Sequence, residues 1–251
     1  MDTKKVFLLA LAIILGYVLS AFLLGRSLER FKKEDRFIAV KGFSEREVKA
    51  DLAVWSLKTS VGSNDLSQGS QDLEAAKNKV IGFLKQNGFS DGEIIQKSLV
   101  VRDKRAQEYG GADLRDGFRY VIEKTIQVRS QNVDNVQKVS RMTDELLRAG
   151  VVLSASYDYG GGGLQFLFTG LNDIKPDMLA EATRNAKKAA DQFTAESQTK
   201  LGSLRKASQG LFSIIDRDES LGASEGGYSS SNGSDLYKKV RVVVTVEYSI
   251  K

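Results

Sequence analysis

The sequence predicts an α+β fold: antiparallel or mixed sheets carrying about three helices, preceded by an N-terminal transmembrane helix. Three patterns carry that prediction. An uncharged apolar run opens the chain, stretches of strict apolar–polar alternation recur through the remainder, and three segments repeat apolar residues at three- and four-residue spacing.

The apolar run is Val6–Gly25, 20 residues without a charge. A helix of that length spans roughly 30 Å, the hydrocarbon thickness of a bilayer. Lys4 and Lys5 precede it, as in an export signal. Cleavable signals have apolar stretches of about 7–15 residues and a small-x-small site. Here the run is longer and its best-placed site of that kind, Val18-Leu19-Ser20, lies inside it. A retained anchor is therefore favoured over a cleaved signal. Residues 26–36 form a charged stem, and residues 37–251 form the body.

Within the body, Phe37–Phe43 is a short strand and Val48–Val61 a longer one, with Ala53, Trp55, Leu57 and Val61 on one side. Leu66–Gln86 is a helix whose inward stripe is Leu73, Ala76, Val80, Phe83 and Leu84, stopped at Asn87-Gly88. Ile94–Glu108 and Phe118–Arg129 make a long hairpin about Gly110-Gly111; Phe118, Tyr120, Ile122, Ile126 and Val128 share a face of the second arm. A second helix, Val133–Arg148, turns Val136, Val139, Leu146 and Leu147 inward. After Val151–Tyr159 and the Gly160–Gly163 run comes a strand at Leu164–Thr169. Pro176 is placed at the first turn of a third helix reaching about Lys200, with a stripe of Leu179, Ala182, Ala186, Ala189, Ala190 and Phe193. Asp216–Ser234, rich in Ser, Gly and acids, is expected to be a flexible loop. Alternating Val240, Val242, Val244, Val246, Tyr248 and Ile250 close the chain as a strand.

Composition narrows function. The net charge is +5, but residues 1–36 hold seven basic and four acidic residues, leaving only +2 for the body. That excess suits anionic lipid beside the anchor and gives little footing for nucleic acid. There is no Cys and no His. Thiolate nucleophiles, disulfides and Cys-ligated metals are excluded, and the commonest general base and metal ligand is missing. The expectation is a protein that is not an enzyme, with no catalytic, cofactor-binding or metal-binding residues and no cofactor.

Each candidate site has a plainer role beside it. Asp216, Asp218 and Glu219 offer oxygens to a cation but lack the Gly and distal Glu of an EF-hand, so a solvated acidic loop is favoured. Gly160–Gly163 is followed by no Gly-Lys-Ser/Thr and is taken as a hairpin or bulge. Glu45 and Glu47 stand two apart on a strand and are assigned to the surface. No Ser-x-x-Lys stands at a helix start, Trp55 is assigned to the core, and Asn232-Gly233-Ser234 is a weak glycosylation triplet. The clean alternation in Phe118–Arg129 and Lys238–Ile250 leaves two readings: an edge or the long hairpin pairs between subunits, or both strands are interior.

An ordered series of short motifs resembles the SIMPL-domain (DUF541) family of exported bacterial proteins. It consists of Val40-Lys41-Gly42-Phe43-Ser44-Glu45, Ala53-Val54-Trp55, Gly88-Phe89 before Ile94-Ile95-Gln96, Gly117-Phe118-Arg119-Tyr120, Leu147-Arg148-Ala149-Gly150, and the Ala-rich segment with Lys187-Lys188-Ala189-Ala190 leading to Leu201-Gly202. Phe43 and Ser44 depart from the family's Gly-Glu opening, and Asp51-Leu52 lacks its preceding Pro. The resemblance implies an envelope-associated protein whose relatives, including a periplasmic immunogenic and an oxidative-stress defence protein, assemble into rings or channels. It carries over no active-site residue.

The resulting expectation is a bacterial inner-membrane protein, single-pass, tethered to the lipid bilayer with its body in the periplasm. It acts as a non-catalytic homo-oligomeric scaffold in envelope or oxidative stress tolerance. Two Lys precede the apolar run and five Lys or Arg follow it, which alone favours a cytoplasmic body; the resemblance tips the side toward the periplasm. The rivals are a soluble exported form, a small-ligand or metal-binding protein, and a hydrolase using carboxylates and Lys.

Overall fold

The computed structural model describes residues 14–22, 36–106, 117–154, 163–218 and 233–250. Residues 14–22 (α1) are helical. The rest of the predicted Val6–Gly25 anchor lies outside the described residues, and no described helix is long and apolar enough to cross a membrane. Among the described residues, antiparallel sheets and four helical segments make the body α+β, as expected. It divides into two compact units: one takes the chain up to Glu45 with Lys175–Phe212 and Arg241–Lys251, the other Arg46–Ile174 and Ser213–Val240.

The larger unit is built on a four-stranded sheet in the order β3 (Ile94–Asp103), β4 (Tyr120–Ser130), β2 (Leu52–Ser63), β5 (Leu164–Leu167). All three pairings are antiparallel. In register, Trp55 faces Val128 and Leu57 faces Ile126. The period-2 pattern turns Ala53, Trp55, Leu57, Ile126 and Val128 to one face, where they are buried with Val80, Phe83 and Leu84 of α2 (Leu66–Gln86). Each fully buried aliphatic side chain of this cluster contributes about 1.5–3 kcal/mol. The Asp65 carboxylate caps α2 by accepting from Ser67 N (2.7 Å) and Gln68 N (3.1 Å). At the other end Gly88 takes φ +88°, a left-handed stop that a side chain resists.

The predicted second helix breaks in two, α3 (Val133–Ser140) and α4 (Asp144–Arg148). Between them Arg141 N and Met142 N bond three residues back, and the Ser140 hydroxyl bonds the Gln137 carbonyl, competing with helix continuation. Val136, Val139 and Leu146 are buried as expected, whereas Leu147 is exposed.

The smaller unit packs helix α5 (Leu171–Glu196) on strands from the sheet β1 (Phe37–Lys49), β8 (Tyr237–Ile250), β6 (Leu201–Gln209), to which β7 (Ser213–Asp216) adds by pairing with β8. On α5, Met178, Ala182, Ala186, Ala190 and Thr194 recur every fourth residue and are all buried. Small side chains there allow β1 to approach so closely that a Cβ on Gly42 would sit 2.1 Å from the Ala182 carbonyl oxygen and 2.3 Å from Ala186 N. On the facing strand Val240, Val242, Val244, Val246 and Tyr248 are buried in alternation.

Several boundaries differ from the expectation. Val48 belongs to β1, and the strand break falls at Ala50-Asp51, where the Asp51 side chain takes up the backbone N–H groups of Thr169 and Gly170. Helix α5 starts five residues before Pro176, which lies inside it, and ends at Glu196. Pro176 has no N–H for the Asn172 carbonyl, a loss tolerable because Asn172 is exposed to water. Phe193 is 60% exposed and stands outside the stripe. Strands β6 and β7 lack alternation and were not expected.

Candidate functional site

A cleft of about 800 Å³ lies in the larger unit, at the start of β2 and the end of β4. Asp51, Glu93, Arg129, Ser130, Asn132 and Thr169 contribute its polar lining. Asp51 accepts from Thr169 N at 2.8 and 3.0 Å and from Gly170 N at 2.9 Å, which satisfies N–H groups just ahead of α5. Glu93 accepts from Ser90 N (2.9 Å) and the Ser90 hydroxyl (2.7 Å). A hydrogen bond from the Ser130 hydroxyl, aided by those from Ser90 and opposed by partial burial, holds the Glu93 carboxyl below its usual value. Asn132 caps α3 through Asn135 N, and its own N–H donates to Ser130 Oγ. Both carboxylates of the cleft thus have structural partners, and the hydrogen bonds to Glu93 stabilise its charged form.

The other face of this sheet carries charge. Glu123 on β4 is buried, with its Oε2 3.2 Å from Lys58 Nζ of β2 and 3.0 Å from Arg102 Nη2 of β3. The three side chains cross-link adjacent strands. Nearby, Arg119 donates from Nε and Nη2 to both oxygens of Asp103, which lowers the carboxyl's pKa and raises the guanidinium's.

The sequence candidates fall as follows. Asp216 ends β7 and pairs with the buried Lys238 rather than lying in a solvated loop; Asp218 pairs with Arg217. Glu219, most of the expected loop Asp216–Ser234, Asn232 and Gly160–Gly162 lie outside the described residues. Gly163 bridges strands, its carbonyl accepting from Ser56 N. Glu45 and Glu47 are exposed, Glu47 lying 3.5 Å from Arg217 Nη1. Trp55 is in the core. No cluster of three or more potential ligands for a metal exists among the described residues. Among the described residues, Phe118–Arg129 and Lys238–Ile250 contribute interior strands β4 and β8, so neither offers an edge; the other arm of the hairpin, β3, is an edge strand, as is β5.

The cleft gave no sequence signal because its residues sit at strand ends far apart in the chain. The Glu123 triad had one: an acid on the polar face of β4, at the spacing of a partly covered sheet face.

These features define a two-unit α+β protein with helices laid on antiparallel sheets. The SIMPL family model, described as a protein of unknown function (DUF541), matches residues 38–248, and the chain belongs to that family. No curated protein matches the chain.

Proposed function

We propose that this SIMPL protein is a membrane-tethered, periplasmic, non-catalytic assembly component that forms homo-oligomers and serves envelope or oxidative stress tolerance. The observation that carries the reading is the uncharged Val6–Gly25 run ahead of a SIMPL body that begins at residue 38. A segment of bilayer length partitions into lipid, and the body follows after a short charged stem. Support for a scaffold comes from the chain's lack of imidazole and thiol and from cleft carboxylates already committed to backbone N–H groups and hydroxyls. Support for assembly comes from the exposed edge strand β3. The stress role rests on the family resemblance.

Membrane fractionation tests the tether. The chain should stay with the membrane through alkaline carbonate and leave it in detergent; release by carbonate would refute the reading. The polar cleft favours one second reading, a binder of a small polar ligand. A thermal-shift screen supports it if a compound raises the melting temperature in proportion to the logarithm of its concentration.

A further inference from the structure

Among the described residues, strand β3 terminates its sheet, with β4 as its partner on one side. Lys104 N donates to the Arg119 carbonyl of the opposite strand at 2.9 Å. By the alternation of an antiparallel ladder, Val100 and Arg102 also turn their backbone groups toward β4, while Leu99 and Val101 turn theirs off the edge. Leu99, Val100 and Val101 are 51%, 42% and 45% exposed. Among the described edge strands no other has three consecutive exposed apolar residues. The long edge β6 is broken by two register shifts and carries Arg205 and Lys206, devices that discourage pairing, whereas the single shift of β3 lies between Gln96 and Leu99 and leaves Leu99–Asp103 regular.

We propose that a second copy of this chain pairs antiparallel with β3 about a twofold axis through Val100, joining two four-stranded sheets into one of eight strands. This rests on the reading that the protein self-assembles and names the surface that does it. The register follows from chemistry. With Val100 opposite Val100, Leu99 lies opposite Val101, so apolar meets apolar, and the register shift between Gln96 and Leu99 falls outside this pairing. The outward groups of Leu99 and Val101 then form four intersubunit hydrogen bonds. A shift of one residue toward the N-terminus carries the pairing into that irregular stretch; the opposite shift sets Leu99 against Asp103. The first loses the regular ladder and the second leaves an apolar side chain facing a charge, so the segment is self-complementary in one register. An axis through the strand makes the contact isologous and closed.

The chain has no cysteine, so a single introduced thiol reports the geometry. In the pairing, Val100 occupies the narrow, non-hydrogen-bonded site, where opposed Cα atoms lie about 4.5 Å apart, within disulfide range. The two Leu99 Cα atoms would lie about 8 Å apart, beyond it. Full-length Val100→Cys in isolated membranes, oxidised with copper phenanthroline, should run as a disulfide-linked dimer. Leu99→Cys and, on β6, Ser208→Cys should remain monomeric on the same gel. Val100→Lys, folded by circular dichroism, should lower the mass of the detergent-solubilised full chain by light scattering. A multimeric wild type whose Val100→Cys variant cross-links no more than Ser208→Cys, or whose mass survives Val100→Lys, overturns the β3 pairing and leaves the assembly reading standing. A monomeric wild type overturns both.

Discussion

Replacing Gly42 with Ala is the sharpest test of how the smaller unit is packed. A Cβ at this position would meet the Ala182 carbonyl oxygen at 2.1 Å, Ala186 N at 2.3 Å and Ala186 Cβ at 2.7 Å. Normal contacts are about 3.5–4 Å between carbons, so β1 and α5 must separate by more than an ångström. Two of the three obstructing atoms are backbone, and no side-chain rotation relieves them. Overpacking costs about 1–3 kcal/mol where neighbours can yield, so the expected loss is at the upper end, about 3 kcal/mol. The separation would also strain the hydrogen bond from the Asn185 amide to the Phe43 carbonyl (3.0 Å) and that from the Ser44 hydroxyl to Glu181 (2.8 Å). Urea unfolding of the purified chain, followed by far-UV circular dichroism, measures the loss. Gly82→Ala is the matched control: nothing lies within 4 Å of its added Cβ, and a helical Gly-to-Ala change stabilises by about 0.5–1 kcal/mol. A Gly42→Ala protein within about 0.5 kcal/mol of wild type, the ordinary range for innocuous substitutions, would refute the close approach.

Further predictions follow from the larger unit. Asp51→Ala, which strips the acceptor from Thr169 N and Gly170 N, should cost about 1–2 kcal/mol in urea titrations, with Asp51→Asn intermediate. Glu123→Ala leaves Lys58 without its counter-charge and should cost about 2 kcal/mol, below the usual penalty for a fully buried pair because Arg102 is half exposed; Glu123→Leu with Lys58→Met should recover most of it. The Glu93 carboxyl is held below 4.5 in the folded state, so it adds stability above that value which is lost as pH falls through the lower folded one. The acid side of the stability profile should therefore flatten in Glu93→Gln and in Ser130→Ala, as read from urea midpoints while the pH is lowered from neutrality; an unchanged profile would contradict the assignment. Trp55, the one tryptophan, is buried in the core, so its emission should shift to longer wavelength in step with unfolding of the larger unit.

Periodicity made the centre of the fold legible. Leu66–Gln86 is α2 to the residue, and the inward faces of β2, α2 and β4 follow from apolar spacing because burial on one side imposes it. Elements stabilised by partners rather than by their own pattern were not legible. Strand β6, with Arg205, Lys206, Ala207 and Ser208 in succession, is a strand because β8 supplies its ladder. The start of α5 was misplaced because Pro176 marks a first turn only when no better N-terminus precedes it. Gly42 and Ala186 stand 144 residues apart, so the motif around Gly42 could be recognised but its steric reason could not be read. The cleft was invisible for the same reason, its two carboxylates lying at the ends of different elements with no shared local pattern.

Tether and side are tested together by protease treatment of intact and lysed spheroplasts carrying the full chain, with intact mass recorded beforehand. A membrane-anchored periplasmic body predicts a mass that includes Val6–Gly25 and complete digestion of residues 38–248 before lysis. A body protected until lysis, or a mass that begins after the apolar run in a freely soluble product, would contradict it.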